Sequence, residues 1–247
     1  MNIAIISRPR TVSTAVINTL AKRHNLTNEF ENYQALVGSL LPQSEELKNL
    51  DNEAKEKYFK NAILLKTNKL FKNGNFICKI WPRMFMQAPA IMLPNWTIDQ
   101  IKSKTIFDIT SYYKIDQYDQ LYFLDRNVYS TTASWAYSHK ISVFHTERRK
   151  KHETPIIKLE VLDLFQAKFH VLEYVLQQKL KDFLIEKKIA FIDISNNTED
   201  YVDESLLTTI KSEHDYPSLI SNYNELYDSI TTWHKFFVDA TGDWKFT

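Results

Sequence analysis

Between Ile3 and Ala21 the chain reads IAIISRPRTVSTAVINTLA, and the middle of that stretch gathers Arg8, Arg10, Thr11, Ser13 and Thr14. These are side chains that can hold an anion. A guanidinium offers a planar fork of donors matched to a tetrahedral oxyanion, and short hydroxyl side chains complete the shell at close range. A phosphate or sulfate group is the ligand the combination suits.

The elements that must position these residues are legible around them. Ile3 to Ser7 is a brief run rich in β-branched residues, as expected of a strand buried on both faces in a parallel sheet. Val16, Ile17 and Leu20 then share one helical face while Asn18, Lys22 and Arg23 fall mostly elsewhere, which predicts a helix of about three turns from near Ser13. The arginines and hydroxyls thus occupy a tight turn into a helix N-terminus, where unpaired backbone N–H groups and the positive end of the dipole favour an anion. The plain alternative is that Ser13 caps the helix and both arginines are solvated.

Further along, Leu47–Asn73 mixes charge with apolar residues at helical spacing and stops near Gly74, which predicts one or two surface helices. NFICKIW, Asn75 to Trp81, reads as a strand closed by Pro82, and QLYFLD, Gln120 to Asp125, as a strand running into the helical pattern RNVYSTTASWAYSHK. A long helix is expected within Leu159–Lys188, and a strand over IAFIDIS, Ile189 to Ser195. Strands alternating with helices predict an α/β architecture with a central, mainly parallel sheet flanked by helices, in a single domain over residues 1–247.

The opening turn is not a Walker A loop, because G-x-x-x-x-G-K-[ST] needs glycines and a lysine and the chain's three glycines, Gly38, Gly74 and Gly242, lie elsewhere. RPRTVSTAV instead resembles the 5′-phosphosulfate loop of sulfotransferases, usually P-R-[ST]-G-S-T. Pro9, Arg10, Thr11, Ser13 and Thr14 match; Val12 replaces the usual glycine, so the backbone there is expected to lack the easy positive φ that glycine permits. The family grips its donor's 3′-phosphate with an arginine at a strand end and a serine eight residues later, and DRNVYSTTASWA supplies Arg126 and Ser134 at that spacing. On structural grounds alone Arg126 could be a helix-start ion-pair residue and Ser134 a packing residue beside Trp135. TNEFENYQ is similar to the P-x-E-[FY]-F segment of bacterial-type members, whose glutamate deprotonates the acceptor hydroxyl; Glu29 aligns with it, and Glu31 and His24 are rivals. In FICKIWPRMF, Lys79 is similar to a strand lysine that faces the sulfuryl group, and equally readable as a snorkelling lysine.

The resemblance implies a three-layer P-loop-type fold and 3′-phosphoadenosine 5′-phosphosulfate as donor. Its sulfuryl group would pass in line to a hydroxyl or amine, with no metal. Arg8, Arg10, Thr11, Val12, Ser13 and Thr14 would hold the 5′-phosphosulfate, Arg126 and Ser134 the 3′-phosphate, and Glu29 and Lys79 would be catalytic. No counterpart of the C-terminal R-K-G segment of eukaryotic cytosolic members is present. Two other classes remain open: a nucleotide-dependent phosphoryltransferase built on the same loop position, and a non-catalytic nucleotide-binding module.

Composition narrows the partners. Lys plus Arg total 31 against 30 for Asp plus Glu, so no whole-molecule field draws the chain to nucleic acid or an anionic membrane, and any anion must be caught locally. The basic run HTERRKKHE, His145 to Glu153, is expected to be a solvated loop. Cys78 is the only cysteine, which excludes an internal disulfide and suits a reducing compartment. With neither a signal-peptide pattern nor a membrane-length apolar run, the cytoplasm is the expected location. Trp81, Phe85, Trp96, Tyr112 and Tyr113 could line an acceptor pocket or fill the core, and a small molecule or glycan offering a sugar, phenol or lipid-like alcohol suits them equally.

Overall fold

A computed structural model describes residues 1–8, 12–29, 51–81, 106–141, 155–203, 215–242 and 245–246. Five strands form one all-parallel sheet in the order β2-β3-β1-β5-β6: β1 (Asn2–Ser7), β2 (Thr27–Asn28), β3 (Phe76–Ile80), β5 (Gln120–Leu124) and β6 (Ile192–Asp193). A separate parallel pair joins β4 (Ile106–Phe107) to β7 (Lys245–Phe246). The architecture is the expected α/β one with helices flanking a parallel sheet.

Side-chain alternation divides the two layers of core. Ile3 and Ile5 of β1, Ile77 of β3, and Tyr122 and Leu124 of β5 pack beneath α1 (Ser13–His24) through Val16, Ile17 and Leu20. Ala4, Ile6, Cys78, Ile80 and Phe123 face the other layer, which contains α5 (Val161–Glu186) with Val171, Leu172, Val175 and Leu176. That layer also holds α2 (Asn52–Asn73), the short α3 (Ile109–Tyr113), α4 (Val128–Lys140), α6 (Tyr216–Leu219) and α7 (Tyr223–Ala240). Asp51 caps α2 by accepting from the Ala54 N–H, and Gly74 closes it at φ 65°.

Strand order fixes where a ligand would sit. From β1 the chain runs to β2 at one edge and returns to β3, then crosses β1 to reach β5 and continues to β6 at the other edge. The connections leaving β1 and β5 therefore diverge, and open parallel sheets bind ligands in the crevice such a reversal leaves beyond the strands' carboxyl ends.

Three features depart from expectation. The strand over Ile189–Ser195 contracts to Ile192–Asp193, an exposed edge pair, because Asp193 turns the chain by accepting from the Ser195 N–H and hydroxyl. The two-residue β2 was not signalled, being exposed and too short for periodicity. Nor was α7, whose Leu226, Ile230 and Phe237 are buried against the same core as α5. Among the described residues no helix is long and apolar enough to cross a membrane.

Candidate functional site

Among the described residues no side chain caps the N-terminus of α1. Val12 occupies the N-cap position at φ 64°, ψ 8° and supplies no side-chain cap; its carbonyl accepts from the N–H groups of Ala15 (3.0 Å) and Val16 (3.3 Å). This corrects the expectation that valine would withhold a positive φ. The valine takes the left-handed conformation anyway, at a cost on the order of 1–3 kcal/mol for a non-glycine residue. Ser13 does not cap the helix, for it is the first helical residue and its hydroxyl accepts a hydrogen bond from Lys79 Nζ. Thr14 is exposed in the same turn, and α1 has no acidic residue in its first turn. Pro9, Arg10 and Thr11 lie outside the described residues.

Lys79 comes from the carboxyl end of β3, paired in register with Ile5 and so on the α1 side of the sheet. It does not snorkel: only 3% of it is exposed, and its ammonium lies 4.5 Å from the Trp81 ring centroid. Burial pushes the amine well below the usual lysine range, and the Glu173 carboxylate pulls the other way. Beside it, the buried Ser7 hydroxyl and Trp81 indole N–H find no hydrogen-bond partner among the described residues.

Arg8 points to the opposite layer, completely buried. Nη2 donates to Asp125 Oδ1 (2.7 Å) and to the Arg126 carbonyl (2.8 Å), and Nη1 donates to Thr131 Oγ1 (3.1 Å). His170 Nδ1 lies 3.4 Å from Nη1, and the guanidinium carbon sits 4.8 Å from the Tyr174 ring centroid. Arg8 is therefore neither solvated nor turned outward to meet an anion; both Nη groups of its fork are taken up by the protein.

The turn from β5 into α4 is closed by its own side chains. Asn127 Oδ1 accepts from the N–H groups of Tyr129 (2.8 Å) and Ser130 (3.2 Å). Arg126 stands immediately before this cap, partly exposed. Ser134 lies on α4 at the expected spacing, mostly buried, and its hydroxyl accepts from Tyr216 Oη of α6 at 2.8 Å.

Glu29 follows β2, its N–H donating to the Ile77 carbonyl (2.9 Å), so it leaves the edge strand at the level of Cys78, in the middle of β3. Its charge is felt at Cys78: burial pushes that thiol up to about 12, the Tyr118 hydroxyl opposing and the Glu29 carboxylate adding. His24 is the last residue of α1, about 17 Å from Ser13 at 1.5 Å per residue, and exposed. It stands at the wrong end of the helix to serve as base for chemistry at the β1–α1 turn. Glu31, Phe85, Trp96 and His145–Glu153 lie outside the described residues, while Trp81 and Tyr113 are buried and Tyr112 is partly so.

Sequence reasoning missed a second tier. His170, Glu173 and Gln177 recur at i, i+3 and i+7 on the inner face of α5, each 1% exposed or less. Gln177 donates to the Leu124 carbonyl (2.9 Å), Gln178 to Asp125 Oδ2 (2.6 Å), and His170 Nδ1 lies 3.1 Å from Thr132 Oγ1. The signal was present in HVLEYVLQ, where polar residues interrupt an apolar helical stripe. No protein-family model matches this chain, and neither the curated proteins nor the solved structures contain a match.

Proposed function

We propose that this protein is a cytoplasmic sulfotransferase that moves the sulfuryl group of 3′-phosphoadenosine 5′-phosphosulfate to a hydroxyl or amine of a small-molecule or glycan acceptor. The observation that carries the reading is the N-terminus of α1, where Val12 is left-handed and no described side chain caps the helix, with a buried lysine directly against the first helical hydroxyl, at the reversal point of a parallel sheet. Such a turn presents backbone N–H groups and the buried Lys79 amine to one anionic group, whose negative charge would in turn favour the protonated amine. The residues fit it: Lys79, Ser13 and Ser7 lie on the α1 side of the sheet, the Trp81 ring is 4.5 Å from the Lys79 ammonium, and the Ser7 hydroxyl and Trp81 N–H, buried and with no hydrogen-bond partner among the described residues, are the kind of polar set that an oxyanion would complete.

In this reading the acceptor oxygen or nitrogen forms the new bond to sulfur as the bond from sulfur to the 5′-phosphate oxygen breaks. Glu29 takes the acceptor's proton, and adenosine 3′,5′-bisphosphate leaves carrying the electron pair. Ser13, Thr14, the helix N-terminus and, from the sequence match, Arg10 and Thr11 hold the 5′ end. Lys79 balances charge on the leaving oxygen, and Arg126 with Ser134 holds the 3′-phosphate.

Titration calorimetry with adenosine 3′,5′-bisphosphate tests the reading. The wild-type protein should bind it in preference to ATP with Mg²⁺, and Ser13→Ala and Arg126→Ala should each weaken binding by roughly tenfold or more, the loss of one or two charge-assisted hydrogen bonds. Preference for ATP with Mg²⁺ would move the assignment to phosphoryl transfer. Bisphosphate binding with no sulfuryl transfer to a broad acceptor panel would leave a binding module.

A further inference from the structure

We infer that Arg8 is a strut that locks the β1–α1 and β5–α4 turns into one rigid unit, and that it contacts no ligand. It directly follows β1 and precedes the turn into α1, yet its guanidinium bonds across the crevice and beneath it, to Asp125, the Arg126 carbonyl, Thr131 and His170. One planar fork thus spans the end of β5 and the first turn of α4, a geometry a lysine ammonium cannot reproduce from a single nitrogen.

Asp125, the receiving end, is itself held on three sides. Its second oxygen accepts from Gln178 of α5, its N–H donates to Ser195 Oγ, and that hydroxyl donates to Asp193 of β6. A load on the β1–α1 turn therefore passes through Arg8 to α5 and the far edge of the sheet. Arg126, whose carbonyl Arg8 grips, is fixed by the same contact.

The consequence for ligand binding rests on the sulfotransferase reading. If the two turns hold opposite phosphates of one nucleotide, their fixed separation makes the second contact intramolecular once the first is made. The bisphosphate should then bind much more tightly than either monophosphate. That advantage, more than the grip on either phosphate, is what Arg8 supplies.

Two measurements on Arg8→Lys and Arg8→Met test this. The first uses no nucleotide: amide hydrogen exchange should quicken by about tenfold or more at Ala15 and Val16 and also at Tyr129, Ser130 and Thr131, with Lys22 to His24 unchanged, as expected of a local opening unit. Quickening in one turn only, or in neither, overturns the strut. Should Arg8→Met fail to fold, Arg8→Lys and Asp125→Asn carry the same comparison. The second is calorimetry with adenosine 3′,5′-bisphosphate, adenosine 5′-phosphate and adenosine 3′-phosphate. Arg8→Lys should lose at least about tenfold for the bisphosphate and less than about threefold for either monophosphate. An equal loss for all three would make Arg8 a ligand contact instead. A wild-type protein that binds none of the three defeats the sulfotransferase reading, and the exchange result then decides the strut alone.

Discussion

The chain passes twice from a parallel strand into a helix at the same edge of its sheet, and it finishes the two turns in opposite ways. At β5–α4 the helix N–H groups are answered by Asn127, and the backbone is at rest. At β1–α1 the cap position holds a valine in a left-handed conformation, no side chain among the described residues answers the helix, and a lysine is buried beneath. A self-capped helix has little left to offer an anion through its backbone, so at β5 any phosphate must be held by side chains such as Arg126. At β1–α1 the described residues leave those backbone donors available. Arg8 joins the two, belonging by sequence to the open turn and by contact to the closed one.

Cutting that connection should have the largest effect. Asp125→Ala leaves the Arg8 guanidinium buried without its carboxylate, and breaking a buried pair from one side costs roughly 3–5 kcal/mol. Urea denaturation should show the loss as a lower midpoint with an unchanged slope. A cost below about 1 kcal/mol would mean that the remaining partners of Arg8 suffice, and the two turns would be independent.

Next in size is a pH dependence confined to the open turn. The Lys79 amine is depressed by burial in the folded protein and ordinary, near 10.5, when unfolded, so between those two values the unfolded chain binds more protons. Stability attributable to Lys79 therefore rises with pH through that window, by up to about 1.4 kcal/mol per pH unit. Cys78 acts in the reverse sense but only above 9, where the unfolded thiol ionises and the folded one, raised to about 12, does not. Comparing wild type with Lys79→Met from pH 7 to 9 isolates the lysine. The wild-type stability should gain on the variant as pH rises, and parallel curves would mean that the amine keeps its charge when buried.

How much of this was legible in the sequence follows the same division. The open turn was readable because local patterns define it: a β-branched run, a cluster of arginines and hydroxyls, and a helical stripe, all within Ile3–Ala21. Lys79 and Arg126 stood out only through the resemblance of FICKIW and DRNVYSTTAS to sulfotransferase segments. The fate of Arg8 was not readable, since its partners Asp125, Thr131 and His170 are 117 to 162 residues away and a lone arginine in a turn looks the same whether it meets water, phosphate or a buried carboxylate. The two-residue β2, which leads into Glu29, exists only because β3 offers it an edge to pair with.

A smaller effect distinguishes the closed turn. Asn127→Ala removes the acceptor for two helix N–H groups and should cost about 1 kcal/mol, as N-cap deletions do. The loss should appear in thermal unfolding as a lower Tm, and exposing those N–H groups should leave the affinity for adenosine 3′,5′-bisphosphate the same or slightly higher. A variant that binds the nucleotide much more weakly would show that Asn127 orders Arg126 directly, and the contrast between a side-chain site and a backbone site would fail.

The smallest effect concerns Val12, where the sign is the informative quantity. Replacing a partly buried valine by glycine ordinarily destabilises, through lost packing and through about 0.5–1 kcal/mol of added unfolded-state entropy. Here glycine also removes left-handed strain on the order of 1–3 kcal/mol, so Val12→Gly should come out near zero or stabilising by about 1 kcal/mol. Alanine keeps most of the strain and loses the packing against the α1-side core. The expected order of stability is therefore glycine at or above valine, and valine above alanine. Measured by chemical denaturation, a Val12→Gly loss larger than that of Val12→Ala would show that the turn relaxes when unliganded, and the open end of α1 would then be a conformation that the ligand has to induce.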